Sequence, residues 1–163
     1  MKTLKDVMKR DVITVPPDMP VSELAGLLTN RMISGAPVVD ASGQVLGVVS
    51  LSDVAGFSAT GRTGLETDRN LYYGVPEMED YLVGFFTVHD LAPEATVADI
   101  MTSAVYTLGE GATVLEAADL MRSSRIHRIL VTEEGRPTGI VTTMDLVGAL
   151  CDLLREPAAA PSR

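Results

Sequence analysis

Cysteine is almost absent from this 163-residue chain: Cys151 is the only one. An intrachain disulfide and a cysteine-cluster zinc site are therefore both excluded. No cationic residue flanks Cys151 closely enough in sequence to activate its thiol, so it reads as a small apolar residue of the last helix. Tryptophan is missing and aromatics make up only 4% of the chain. Positive charge is also short, with 13 Lys and Arg against 22 Asp and Glu and a net charge of −9. That balance argues against a nucleic-acid or anionic-membrane surface, which needs clustered cations. No apolar run approaches a bilayer span, and residues 1–15 carry charges where a signal peptide has its apolar core. A soluble, cytoplasmic protein is expected. The 46% hydrophobic and 21% charged composition is that of a globular chain, long enough to bury about 70% of its unfolded surface.

What the chain does have is a duplication. A shift of 93 lays residues 3–41 on 96–134, and a shift of 92 lays 43–57 on 135–149, with Ser42 as the extra residue. Sixteen of the fifty-four aligned positions are identical, among them Met8/Met101, Thr14/Thr107, Gly47/Gly139 and Asp53/Asp145, and most others exchange apolar for apolar. The spacing predicts in each copy a short helical turn (3–8; 96–101), a brief strand (12–15; 105–108) and an amphipathic helix. Val21, Leu24, Ala25, Leu28 and Met32 form the helix's apolar stripe in the first copy; Val114, Ala117, Ala118 and Met121 form it in the second. Two strands joined by glycine-containing turns follow (36–39 and 45–50; 129–132 and 138–142), and a helix closes the unit. Thr113-x-x-Glu116 is a capping box for the second amphipathic helix, whereas Pro20 stands at the matching place in the first. One β-α-β-β-α unit has too little core to stand alone. An α/β (α+β) fold is expected, with two such repeats packed sheet to sheet about a pseudo-two-fold axis. The repeats span 3–57 and 96–156. Residues 58–95 form an insert, and 157–163 read as a disordered Ala- and Pro-rich tail.

Each repeat carries Gly-apolar-apolar-Ser/Thr-x-x-Asp at a strand-to-helix turn: Gly47-Val48-Val49-Ser50-Leu51-Ser52-Asp53, and Gly139-Ile140-Val141-Thr142-Thr143-Met144-Asp145. Ser/Thr-x-x-Asp before an apolar run is also a helix capping box, in which the side chains satisfy backbone N–H groups. An ionised aspartate, however, offers two acceptor oxygens to the two hydroxyls of a ribose cis-diol, at about 1.5–3 kcal/mol per charged hydrogen bond. The adjacent hydroxyl of Ser50 or Thr142 can serve a ribose or phosphate oxygen, and the helix N-terminus favours negative charge.

These residues resemble the CBS domain, whose tandem pair is called a Bateman module. The resemblance rests on Val12-x-Thr14-Val15, Val105-x-Thr107-Leu108, Ala36-Pro37-Val38-Val39-Asp40 and both aspartate turns, and it covers nearly all of the chain except the insert and the tail. It implies a binding site for adenosine-containing ligands such as AMP, ADP, ATP or S-adenosylmethionine, with no obligatory cofactor. Asp53 and Asp145 would hold ribose hydroxyls with help from Ser50 and Thr142, and Val48 and Ile140 would line the base or ribose. Thr14 and Thr107 would contribute from the preceding strands. Ile126-His127-Arg128 is similar to the His-Arg pair that contacts phosphate in the gamma subunit of AMP-activated protein kinase. The first repeat has Ser34-Gly35 there, so the Asp145 cleft is expected to be the better phosphate site.

An enzyme needs a nucleophile with its base, or a metal, and neither is assembled in the sequence, since His89 and His127 lie in unrelated segments. The expected class is a regulatory sensor that shifts between two arrangements on ligand binding, as a homodimer, in service of another protein whose identity is open. The competing reading is a structural or interaction module that binds no nucleotide and works through the insert. Six of the seven aromatics lie between Phe57 and Phe86, and Met78, Tyr81, Leu82, Phe85, Phe86 and His89 share one helical face. That face is expected to be a lid, a dimer contact or a core cover.

Overall fold

The computed structural model describes residues 2–60 and 94–155, without the side chains of 58–60. The aromatic face of the insert and the tail therefore lie outside the described residues. In chain order the elements are α1 (Leu4–Val7), α2 (Val21–Arg31), β1 (Gly35–Val39), β2 (Val45–Ser50), α3 (Leu51–Thr60), α4 (Val97–Ile100), β3 (Thr107–Gly109), α5 (Val114–Ser124), β4 (Arg128–Glu133), β5 (Arg136–Thr142) and α6 (Thr143–Arg155).

Local chemistry sets the boundaries. Thr3 with Asp6, Thr96 with Asp99 and Thr113 with Glu116 close three capping boxes, while α2 starts after Pro20, whose fixed φ suits a helix entry. Met32 and Arg125, at matching positions, end α2 and α5 in the left-handed conformation at φ of 52° and 54°. The strand pairs are antiparallel hairpins with a bulge at the same place in each, between Val38 and Val39 and between Val131 and Thr132. β3 adds in parallel to β4. In the first repeat the expected strand over 12–15 reduces to a single bridge, Val15 to Val38. Its sheet therefore has two strands against three in the second.

The repeats do not pack as two self-contained units. Leu4 and Met8 of the first repeat's leading turn lie in the second repeat's core with Ala117, Met121, Ile129, Val131 and Val141. Val97 and Ile100 of the second leading turn lie in the first repeat's core with Val15, Leu24, Leu28 and Val49. Each leading turn, grouped in sequence with its own repeat, thus packs in the core of the other. The reason is visible in the hydrogen bonds. Lys9 and Ile140 exchange a backbone pair at 2.9 Å each way, and Thr102 and Val48 do the same at 2.9 Å. The bridges Thr3 to Thr113 and Pro20 to Thr96 form a second matched pair. Each bridge maps onto its partner when the repeats are interchanged, which defines the pseudo-two-fold axis.

This exchange accounts for the motif glycines. A Cβ on Gly47 would lie 2.5 Å from the Thr102 carbonyl oxygen, and one on Gly139 would run into the Met8 side chain and come within 3.1 Å of the Lys9 carbonyl. The two glycines mark where the other repeat's backbone crosses the strand. By contrast, Gly26 in α2 and Gly148 in α6 have open space around them. Gly47→Ala is therefore expected to destabilise by about 2 kcal/mol or more, because the opposing atom is backbone. Gly26→Ala should instead stabilise by about 0.5–1 kcal/mol, as helix-interior glycine replacements do. Urea unfolding of the two variants checks both signs.

Candidate ligand clefts at the repeated aspartate turns

β2 runs directly into α3, and β5 into α6, so each aspartate sits in the first turn of a helix that its own strand aims. In the first copy, Asp53 Oδ2 accepts from the Ser50 backbone N–H and from Ser50 Oγ, both at 2.7 Å. In the second, Asp145 Oδ2 accepts from Thr142 N–H at 2.8 Å and from Thr142 Oγ1 at 2.6 Å. The capping reading and the binding reading are thus compatible. One oxygen closes the helix end with both lone pairs engaged, and Oδ1 is left outside the cap. Of the two oxygens expected from sequence to meet a diol, Oδ2 is therefore already engaged within the turn.

The two carboxylates differ in surroundings. Asp53 is partly buried, and its pKa is raised because burial penalises the charged form more than the Ser50 hydrogen bonds favour it. Among the described residues no ion pair reaches it. Asp145 has Lys9 of the opposite repeat 3.6 Å from Oδ1. Lys9 is carried there by its backbone pairing with Ile140.

The remaining predicted site residues separate into those brought to the turns and those not. Ser34 is beside the first turn, its carbonyl accepting from Leu51 N–H at 2.9 Å. Arg128 crosses to the first repeat, where Nη1 donates to Ser34 Oγ at 3.0 Å. His127 points elsewhere. Its Nδ1 is 3.4 Å from Thr143 Oγ1, its carbonyl accepts from Thr143 N–H at 2.9 Å, and its side chain lines a groove beside α5 and α6. Adjacent residues entering a strand project to opposite faces, so the His127 and Arg128 side chains point apart. Ile140 is half-buried beside the second turn, but Val48 is fully buried in the second repeat's core and lines no open surface. Thr14 is half-exposed and Thr107 exposed, on the segments that cross between repeats, and neither hydrogen-bonds to an aspartate turn. Lys9 was missed from sequence. Its only signal there is a cation at position 9 facing Thr102 in the repeat alignment.

A doubled strand-turn-helix site, with each cleft faced by a segment of the opposite repeat, defines a tandem ligand-binding module. The chain belongs to the CBS-domain family, whose model matches residues 4–59 and 97–152. It is 31% identical over 162 residues to the protein MJ1426 of Methanocaldococcus jannaschii, covering 90% of each chain. It is 27% identical to the chloroplastic CBS domain-containing protein CBSX1 of Arabidopsis thaliana, covering 90% of this chain and 62% of that one. The inosine-5'-monophosphate dehydrogenase of M. jannaschii is 28% identical, but the chain spans only 23% of its length. Among solved structures, CBSX2 in complex with AMP superimposes with a TM-score of 0.68 at 22% identity, covering 95% of this chain and all of that one. The CBS domain pair of MJ0100 in complex with 5'-methylthioadenosine and S-adenosyl-L-methionine gives 0.66 at 22% identity, covering 94% and 98%. CBS pairs are regulatory modules rather than enzymes, and this chain is of that class.

The electrostatics of the first cleft carry a sign. A carboxyl whose folded pKa is raised adds stability that is fully present below its unfolded pKa and is lost as pH rises through the folded value. Ionised Asp53 therefore costs stability at neutral pH. Asn at this position keeps the cap acceptor without the charge. Asp53→Asn is expected to raise the Tm at pH 7 by on the order of 2–4 °C, with the gain vanishing at pH below about 4. Melting curves across that range, with an equal or lower Tm at pH 7 as the contrary outcome, test it.

Proposed function

We propose that this chain is a regulatory sensor that binds adenosine-containing ligands, of the kind AMP, ADP, ATP or S-adenosylmethionine, at the Asp53 and Asp145 turns and signals occupancy to a partner protein. The observation that carries the reading is the duplicated carboxylate with one oxygen in the cap and the other outside it. A helix end needs only the first. The AMP, methylthioadenosine and S-adenosylmethionine complexes of structurally similar CBS pairs support the same ligand class. A buried aspartate that meets no cation among the described residues, as at Asp53, is a stability cost of the sort that binding sites carry.

Thermal unfolding of nucleotide-stripped protein tests this directly. At 100 times its dissociation constant an adenosine ligand stabilises by about 2.7 kcal/mol, which is a clear melting shift. Asp145→Ala is expected to lose most of that shift and the double variant with Asp53→Ala all of it. Absence of any shift in the wild type, with both variants melting lower, would make the aspartates helix caps alone.

One observation supports self-association as part of this function. The α5 and α6 face leaves Leu115, Leu150 and Leu153 59%, 53% and 63% exposed around an open groove of about 950 Å³. At the position matching Leu115 the first repeat has Ser22, so that part of the apolar surface is not shared by the two repeats. Rim charges are paired within the chain, Lys2 with Asp152 and Arg122 with Asp119, so two copies of this face can meet without a net like-charge clash. Helices of 11 and 13 residues side by side present roughly 20 by 20 Å, about half of the typical 800 Å² per partner in projection alone. The proposal is a homodimer through this face. Equilibrium sedimentation at micromolar concentration should give a dimer for the wild type and a monomer for Leu150→Glu with Leu153→Glu, and a monomeric wild type removes the proposal.

A further inference from the structure

Lys9 and Thr102 occupy equivalent places in the two repeats, and each is held by two backbone hydrogen bonds against the strand that leads to the other repeat's aspartate. The clefts are therefore built alike up to that side chain and differ at it. The second cleft receives an ammonium 3.6 Å from Asp145 Oδ1, whereas the equivalent residue at the first is the uncharged Thr102. The Lys9 side chain is 67% exposed and Asp145 only 14%, so the carboxylate is fixed while the lysine can swing. At 3.6 Å the pair is longer than a charge-assisted hydrogen bond of 2.7–2.9 Å, which leaves the ammonium able to turn its three donors elsewhere.

These constraints make the two partners of Asp145 Oδ1 compete. Oδ2 is committed to the cap, so a ribose hydroxyl at this cleft must take Oδ1, the oxygen that Lys9 faces. A neutral nucleoside then weakens the ion pair and returns nothing to the ammonium. A ligand with a phosphate gives the displaced ammonium a new anion within reach of its four-carbon stem, so diol and phosphate bind together. A sulfonium brings a like charge toward Lys9 and is disfavoured. We propose that Lys9, supplied by the first repeat, is the charge-selecting residue of the Asp145 cleft and makes it a site for 5'-phosphorylated adenosine in preference to adenosine and to sulfonium nucleosides. The inference rests on the adenosine-ligand reading above and adds to it the residue that sorts that class by charge.

The test uses the full chain carrying Asp53→Asn, which weakens the first cleft while keeping its cap. Calorimetric titration with AMP, adenosine and S-adenosylmethionine is compared between this parent and the same chain with Lys9→Met or Lys9→Arg. The backbone bridge of residue 9 is preserved in both variants, and an unchanged Tm without ligand verifies the fold. Lys9→Met is expected to weaken AMP about 10-fold while adenosine is unchanged or tightened, so that the preference for AMP collapses; Lys9→Arg should retain it. Raising the salt concentration should erode AMP binding in the parent and much less in Lys9→Met. An AMP-to-adenosine preference that survives Lys9→Met overturns the role of Lys9 and leaves the sensor reading standing. A parent and wild type that bind none of the three compounds overturn both together.

Discussion

The structure depends on two short backbone exchanges, Lys9 with Ile140 and Thr102 with Val48, each tying the leading segment of one repeat to the last strand of the other. Everything on either side of them follows. Because the segment crosses, Leu4 and Met8 reach the second core and Val97 and Ile100 the first, so neither repeat can complete its apolar interior without its sibling. Fully burying one leucine such as Leu4 is worth about 1.5–3 kcal/mol, and a half-sized unit cannot forgo several of those. The exchange thus converts two marginal units into one cooperative body. It also fixes the glycine of each turn motif, which here yields space to a crossing chain and has no positive-φ role.

The same crossing sets the chemistry of the clefts. A Ser/Thr-x-x-Asp turn by itself is a helix cap, and in both copies one carboxylate oxygen does that work. Which chemistry the other oxygen can do is decided by what the opposite repeat lays beside it. Asp145 meets Lys9, and Asp53 meets no cation among the described residues and is held with a raised pKa by its own burial. Each turn consequently lies against both repeats, which is the physical requirement for a site there to bias their relative arrangement.

Much of the fold was legible in the sequence because duplication repeats every local signal twice. The capping box at Thr113, the different start at Pro20, the hairpins and the α5 stripe fall where propensity and period place them; the α2 stripe does so except for Met32, which ends the helix with positive φ and is 92% exposed. The exchange of leading turns was not legible. Leu4 and Ile100 are apolar at matching places, and apolarity says that a residue is buried without saying in which repeat. The strand expected over 12–15 shrank to one bridge because residues 10–14 must span the gap between Ile140 and Val38 instead of lying along a partner. At the site, the aspartates and their hydroxyl partners were legible since cap chemistry is local. Val48, His127 and Arg128 were not, because their roles turn on which face each projects from. Val48 is drawn into the opposite core, and His127 and Arg128 diverge although they are neighbours in sequence.

Where two repeats share one architecture, the positions at which they differ are released from the fold and are the places for specialisation. Identity is kept at Gly47 and Gly139 and at Asp53 and Asp145, the points that the crossing and the helix cap require. Differences collect at Thr102 against Lys9, Ser34 against His127, and Ser22 against Leu115. None of these second-repeat residues is fully buried, so none is needed to fill the core. A lysine beside a carboxylate, a polar residue turned toward a helix end and a leucine in water each carry a cost; the lysine is the first repeat's own, and the other two stand where the first repeat has Ser34 and Ser22. Although Lys9 belongs to the first repeat, all three lie at the Asp145 turn or on the α5 and α6 face, which is the physical argument that the two turns are not equivalent.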